Sequence, residues 1–280
     1  MTLAVGLALV AAMAYGVSDF VGGCASRLVT PWAIVLTGQV GGGLAMLIVA
    51  ANSPGTMVVA HLAWAVLAGT SSAAGTVFLY RGLSTGHSAL VAPSSAVVAA
   101  TVPVMTAVVG GERPQMMVWA GIALSLPGIW LVAASSGKAP RPAGHASALR
   151  DGILSGMGFG GLFAAVGQIP SSAGMFPLAL QNVAAGLFTV VAAVMLGQTW
   201  VPSTARAWVG LPIGVLGATG TAVFMVATQA GQLSVTSVVV SLYPVFTVAL
   251  SMLFLRERVG RPQSVGLVLS GIAVACIAAG

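Results

Sequence analysis

Gly110-Gly111-Glu112-Arg113-Pro114 and, 145 residues later, Leu255-Arg256-Glu257-Arg258 are one sequence step written twice. The chain holds only four acidic residues, and two of them coincide in this match. Working outward at the same shift and without a gap, Gly69 meets Gly214, Ala73 meets Ala218, and Gly75-Thr76 meets Gly220-Thr221. Gly86 meets Gly231, Gly121 meets Gly266, and Leu124-Ser125 meets Leu269-Ser270. The chain is therefore a tandem of two related halves. The division expected is 1–137 for the first half, 138–150 for a linker, and 151–280 for the second half.

Each half divides into five apolar runs bounded by polar, Gly or Pro clusters. The first half reads as about Leu3 to Gly22, Pro31 to Ala51, Leu62 to Leu79, Ser88 to Val109 and Met116 to Ala134. The second reads as about Gly152 to Ile169, Phe176 to Leu196, Trp208 to Gln229, Val235 to Leu255 and Ser264 to Ala279. A bilayer span takes about 20 apolar residues, so each run is long enough to cross. Five is odd, so the second half enters the membrane inverted relative to the first, as in many secondary transporters. The fold class expected is an all-α membrane protein of ten transmembrane helices in two inverted five-helix repeats.

Composition agrees. Of 280 residues, 58% are hydrophobic, only 5% are charged, and mean hydropathy is +1.04. Soluble domains carry about 25% charged residues, so a soluble enzyme is excluded; so is disorder, which needs low hydrophobicity. Nine of the ten basic residues fall in odd-numbered loops, and only Arg113 falls in an even one. The positive-inside rule then puts odd loops in the cytoplasm and both termini outside. The first residues carry no basic segment, so the first run reads as a span and not as a cleaved signal. Trp32, Trp64, Trp119, Trp200 and Trp208 lie near predicted span ends, where an interfacial belt is expected, and Trp130 lies deeper. Cys24 and Cys276 have no partner spacing, and His61, His87 and His145 form no metal-ligand pair, so no cofactor or metal is expected.

The doubled Glu-Arg step before the last helix of each half resembles the EamA-type permeases of the drug/metabolite transporter superfamily. So does Ala14-Tyr15-Gly16-Val17-Ser18-Asp19-Phe20 in the first run, similar to an aromatic-Gly-x-x-Asn-Phe step of that family. Here Tyr15 stands where Trp is usual and Asp19 where Asn is usual. The resemblance covers the whole chain. It implies export or exchange of small metabolites, amino acids or amphipathic drugs through a multi-pass protein of a bacterial cell membrane.

Several residues can carry such a function. Asp19 is the only acid inside a predicted span, and intramembrane acids mark proton or cation sites; alternatively it is wet, or paired with Arg27. Glu112-Arg113 and Glu257-Arg258 read as structural pairs at helix junctions, each Glu near the N-terminus of the next helix. Pro93 and Pro103 in the fourth span and Pro244 in the ninth mark bent helices in corresponding positions, a pointer to a central site. Ser94, Ser95, Thr101, Ser241 and Tyr243 would line it, with Tyr15, Asp19 and the amides Gln168 and Gln229. Back-bonding to their own helix is the alternative for each hydroxyl. The substrate expected is a small neutral, zwitterionic or amphipathic molecule, with a proton as candidate coupling ion. Lipid is the surrounding partner, nucleic acid is not expected, and the chain is expected to be monomeric. A structural or accessory membrane protein is the alternative; it would need no cavity, and its bent helices would pack on lipid. A membrane enzyme is disfavoured, since no nucleophile–base pair or two-acid constellation is present.

Overall fold

The computed structural model describes residues 2–25, 28–84, 88–133, 145–256 and 260–280. Among them the regular secondary structure is all helical, joined by short turns. The first half holds α1 (Thr2–Ala25), α2 (Pro31–Asn52), α3 (Val59–Ser84), α4 (Ser88–Val109) and α5 (Met116–Ala133). The second holds α6 (His145–Val166), α7 (Phe176–Met195), α8 (Gly210–Ala230), α9 (Leu233–Val240), α10 (Tyr243–Phe254) and α11 (Arg261–Ala279). Among the described residues, nine segments have the length and apolarity to span a membrane, with α9 and α10 together making one. The tenth, α6, is less apolar because its first turns carry Arg150 and Asp151. It begins at His145, so residues 145–150 of the polar middle stretch are helical. Glu257, Arg258, Arg27, His87 and residues 138–144 lie outside the described residues, as does Gly86.

Local signals place the ends. Proline opens α2, α7, α10 and α11, where its missing N–H would have had no intrahelical acceptor. α4 ends at Gly111, whose φ of +101° only glycine takes readily, with the Glu112 N–H returning to the Ala107 carbonyl at 2.9 Å. α7 ends the same way at Gly197, with the Gln198 N–H on the Ala193 carbonyl at 2.8 Å. The ninth span breaks at Ser241-Leu242, two residues before Pro244, and restarts as α10. Its counterpart α4 keeps both Pro93 and Pro103 inside one continuous helix. The two spans thus correspond in position but differ in how they yield to proline.

The halves interlock by exchange. α3 packs on α6 and α7, and its counterpart α8 packs on α1 and α2. α4 packs on α6, while α9 and α10 pack on α1. α5 lies along α11, and α2 along α7. This reciprocity is what a two-fold axis between inverted halves demands.

The matched glycines of the repeat sit at these crossings. A Cβ at Gly214 would fall on the Gly38 carbonyl oxygen of α2; one at Gly69 would fall on the Gln181 carbonyl oxygen of α7. At Gly75 it would meet backbone of α6 at 3.0 Å, and at Gly220 the Tyr15 ring of α1 at 3.2 Å. At Gly121 it would meet α11 (Ala273 carbonyl, 2.8 Å), and at Gly266 it would meet α5 (Val132 nitrogen, 2.7 Å). Lipid gives apolar helices little reason to associate, so close backbone packing through small residues supplies much of the adhesion. The Gly38/Gly42 pair meets Gly210 and Gly214, and Gly152, Gly156 and Gly160 seat α6 on α4. Both glycine series therefore serve packing inside one chain.

This yields a prediction with opposite signs. Gly214→Ala forces α2 and α8 apart and should destabilise by about 2–3 kcal/mol, as overpacking does. Gly271→Ala, where an added Cβ meets nothing within 4 Å, should be neutral or stabilise by up to about 1 kcal/mol through helix propensity. Thermal unfolding of the two purified variants in detergent checks the contrast; equal melting points would contradict it.

Candidate functional site

α1 is gripped from two sides. The Ser18 hydroxyl donates to the Ile213 carbonyl of α8 at 3.0 Å. On the other side Gly16 lies so near α10 that a Cβ would meet the Tyr243 carbonyl at 2.8 Å, and Thr247 donates to the Gly16 carbonyl at 3.2 Å. These contacts fix the helix rotation. Between them one inward stripe carries Ala8, Ala11, Ala12, Tyr15 and Asp19, at helical spacing. Ala8, Ala11 and Ala12 are completely buried, whereas Asp19 on the same stripe is exposed. The space in front of α1 is therefore closed along its first half and open near its end.

Half-buried tyrosines border the open part, and buried aromatic rings stand behind them. Tyr15 and Tyr243 stand with ring centroids 6.4 Å apart, and Phe163 of α6 meets Tyr15 edge-on at 5.9 Å. Phe224 of α8 backs Phe163 at 5.0 Å. The Tyr15 hydroxyl bonds the Thr221 hydroxyl at 2.7 Å; Thr221 in turn donates to the Gly217 carbonyl at 3.1 Å, so Tyr15 is the donor between them. Trp32 of α2 packs edge-on to Tyr80 of α3 at 6.3 Å. The Asp19 carboxyl group lies in electrostatic range of Tyr15, Tyr80 and Tyr243, the three tyrosines of the chain. Among the described residues it has no hydrogen-bond or ion-pair partner, and the pairing with Arg27 falls outside them.

Two hollows elsewhere in the bundle are almost wholly apolar. A groove of about 260 Å³ between α1, α10 and α11 is lined by Leu9, Leu242, Val245, Phe246 and neighbours, with Ser270 its only polar side chain. Another of about 340 Å³ lies at the outer ends of α2 and α7 around Leu47, Met57 and Phe176. Neither contains Asp19. Grooves lined by aliphatic side chains at a helix–lipid boundary suit acyl chains, so volume alone does not mark the site.

The remaining residues expected in the cavity are spread out. Tyr15, Asp19 and Tyr243 come together. Ser94 bonds back to the Leu90 carbonyl at 2.7 Å, and Ser95 shares a 2.8 Å bond with Ser155 at the α4–α6 seam. Thr101 and Ser241 bond back to Val97 and Ser237. Gln168 is exposed past the end of α6, and Gln229 reaches the Ile169 carbonyl only at 3.4 Å. The sequence reading missed Trp32, Tyr80, Phe163 and Thr221. Trp32, expected in the interfacial belt, is only 8% exposed and packs edge-on to Tyr80. Trp130, expected deep, is 36% exposed on the outer face of α5. Thr221 was legible in part, as the mate of Thr76 in the repeat.

At the opposite end of the bundle the Glu112 carboxylate does not serve the next helix, α5, as expected. It accepts the Leu233 N–H at 2.7 Å, the Ser234 N–H at 3.1 Å and the Ser234 hydroxyl at 2.6 Å, capping α9 of the other half. All eight residues of α9 are buried, so its N-terminal donors have no water to turn to. Arg113 closes the C-terminus of α4 through the Val108 carbonyl at 3.2 Å. Glu112 and Arg113 are thus two helix caps with the charge signs that helix dipoles favour.

Asp151 is a second acid within a helix, one residue before the apolar run that begins at Gly152. It is 3% exposed and pairs with Arg81, whose Nε donates at 3.1 Å and whose Nη2 also bonds it. Arg81 itself lies inside α3 and not in a loop, its guanidinium 4.9 Å from the centroid of the Phe78 ring.

Ten membrane-spanning helices in two interlocked, inverted halves define an integral multi-pass membrane protein. The EamA-like transporter family matches residues 2–134 and 148–279, and the chain belongs to that family. It is accordingly a membrane transporter of small molecules. No curated protein sequence matches the chain. Solved structures share the fold: one crystal structure superposes with a TM-score of 0.72 at 16% identity, over 98% of this chain and 95% of that one.

Proposed function

We propose that this protein is a secondary transporter that moves small neutral, zwitterionic or amphipathic organic molecules by alternating access between its two halves, in the direction of export or exchange. One asymmetry carries the reading. The α1 stripe is open at Asp19 and shut at Ala8, Ala11 and Ala12, and Glu112 latches the two halves together at the shut end. A cavity open to one side, with a breakable polar latch on the other, is one of the two states that alternating access needs. α4 packs on α9, and α9 on α1, which favours this over an accessory protein with its bent helices on lipid. The open end is the side of the odd-numbered loops, which the charge count puts in the cytoplasm of a bacterial cell.

Two measurements test it. In proteoliposomes, saturable counterflow is expected for at least one compound in a panel of amino acids, amines and amphiphiles; no counterflow from protein that is folded and inserted would contradict it. A C-terminal green fluorescent protein fusion, exported through the general secretion route, should be dark. Bright fluorescence would put the odd loops outside and reverse the sidedness.

A further inference from the structure

We infer that the open cavity takes an organic cation: a molecule with one ammonium group and an apolar body. The inference rests on the transporter reading above and narrows its substrate class. Four observations meet at one place. Asp19 is exposed on the inward stripe of α1 and has no hydrogen-bond or ion-pair partner among the described residues. The phenol rings of α1, α3 and α10 lie in electrostatic range of its carboxyl group. Tyr15 and Tyr80 are half-buried, and the buried rings of Phe163 and Trp32 pack behind them edge-on, so the wall beside Asp19 is phenolic with an aromatic backing. The described arginine next in sequence to that wall, Arg81, is bound to Asp151.

Aromatic faces carry negative electrostatic potential and attract cations, most strongly where water is scarce. A single carboxyl group adds to that attraction and repels an anion. A carboxylate-bearing ligand would need a basic or multiply donating group, and the Tyr15 hydroxyl is already given to Thr221. The half-exposed ring faces of the tyrosines suit an apolar body. One acid matches one positive charge; a dication would leave a charge uncompensated at membrane depth.

The test uses the full chain in lipid nanodiscs and three probes of matched shape: 3-phenylpropyltrimethylammonium, 3-phenylpropanol and 3-phenylpropanoate. Binding is read by tryptophan fluorescence and by displacement of the radiolabelled cation. The cation should bind at least about tenfold more tightly than the alcohol, a preference consistent with charge attraction in a partly dry site. Asp19→Asn should bring the preference near parity, and Asp19→Glu should restore most of it. Tyr80→Phe should keep the preference and Tyr80→Leu should reduce it, which holds the inference to account even if Asp19→Asn fails to fold. Alcohol or carboxylate binding as tight as cation binding overturns it, as does an Asp19→Asn variant with undiminished preference. Counterflow separates the two readings. Counterflow of the alcohol or of a zwitterionic amino acid, without cation binding, overturns the cation class and leaves transport standing. Asp19-dependent cation binding with no counterflow of any compound supports the cation class and contradicts transport.

Discussion

Arg81→Ala will destabilise the protein by about 2–3 kcal/mol, and Asp151→Asn will cost clearly less. The pair is lopsided: the Asp151 side chain is 4% exposed and that of Arg81 44%. Removing one partner of a buried pair usually costs about 3–5 kcal/mol, because a charge is left uncompensated in a poor solvent. The exposed guanidinium end and Arg150, 3.9 Å from the same carboxylate, lower that expectation here. Asn at 151 leaves behind only an arginine that can reach water, and its amide oxygen can still accept from the guanidinium. Unfolding in mixed detergent micelles gives both values. Equal losses, or a larger loss for Asp151→Asn, would show that the burial asymmetry does not govern the pair.

Glu112→Ala is expected to cost about 3 kcal/mol, and Glu112→Gln about 1 kcal/mol. Alanine leaves two backbone N–H groups and the hydroxyl of fully buried Ser234 without acceptors, at about 1–3 kcal/mol for each buried group left unmade. Glu112 is itself partly exposed, so water entering beside it offsets part of the loss. Glutamine keeps one acceptor oxygen but loses the charge that favours an N-terminal cap. The same change should loosen the shut end and raise the share of molecules open there. Thermal unfolding measures the stability, and a Glu112→Ala protein as stable as the parent would remove the latch from the account.

The architecture was legible because its signals are coarse. Ten apolar runs, an odd number per half and a doubled Glu-Arg step needed no side-chain geometry. The glycine matches looked cheap in so glycine-rich a chain, yet Gly69, Gly75, Gly121 and their mates prove to be where one half touches the other. The site was legible only through α1 and α10, where an acid or a tyrosine lies inside an apolar run. Tyr80 and Arg81 looked like the end of a span because a cation normally ends one; Asp151 and Phe78 allow α3 to continue past them. Trp32 looked interfacial because interfacial tryptophans share its position near a helix start, and only tertiary packing over Tyr80 separates the two cases. The partner of Glu112 was illegible for a different reason. It is supplied 121 positions away by a helix of the other half, and no local pattern encodes it.

The central claim, one end open and the other latched by a breakable contact, is tested most directly by a distance across the latch. In a background with Cys24 and Cys276 replaced by alanine, nitroxide labels at Gln115→Cys and Ala230→Cys flank the seal between Glu112 and the start of α9. Double electron–electron resonance in nanodiscs should give a short distance as the main population. Glu112→Gln should add a longer component, as should a transported compound found by counterflow. A single distance, unmoved by Glu112→Gln and by that compound, would mean that this end does not open and would contradict alternating access in this protein.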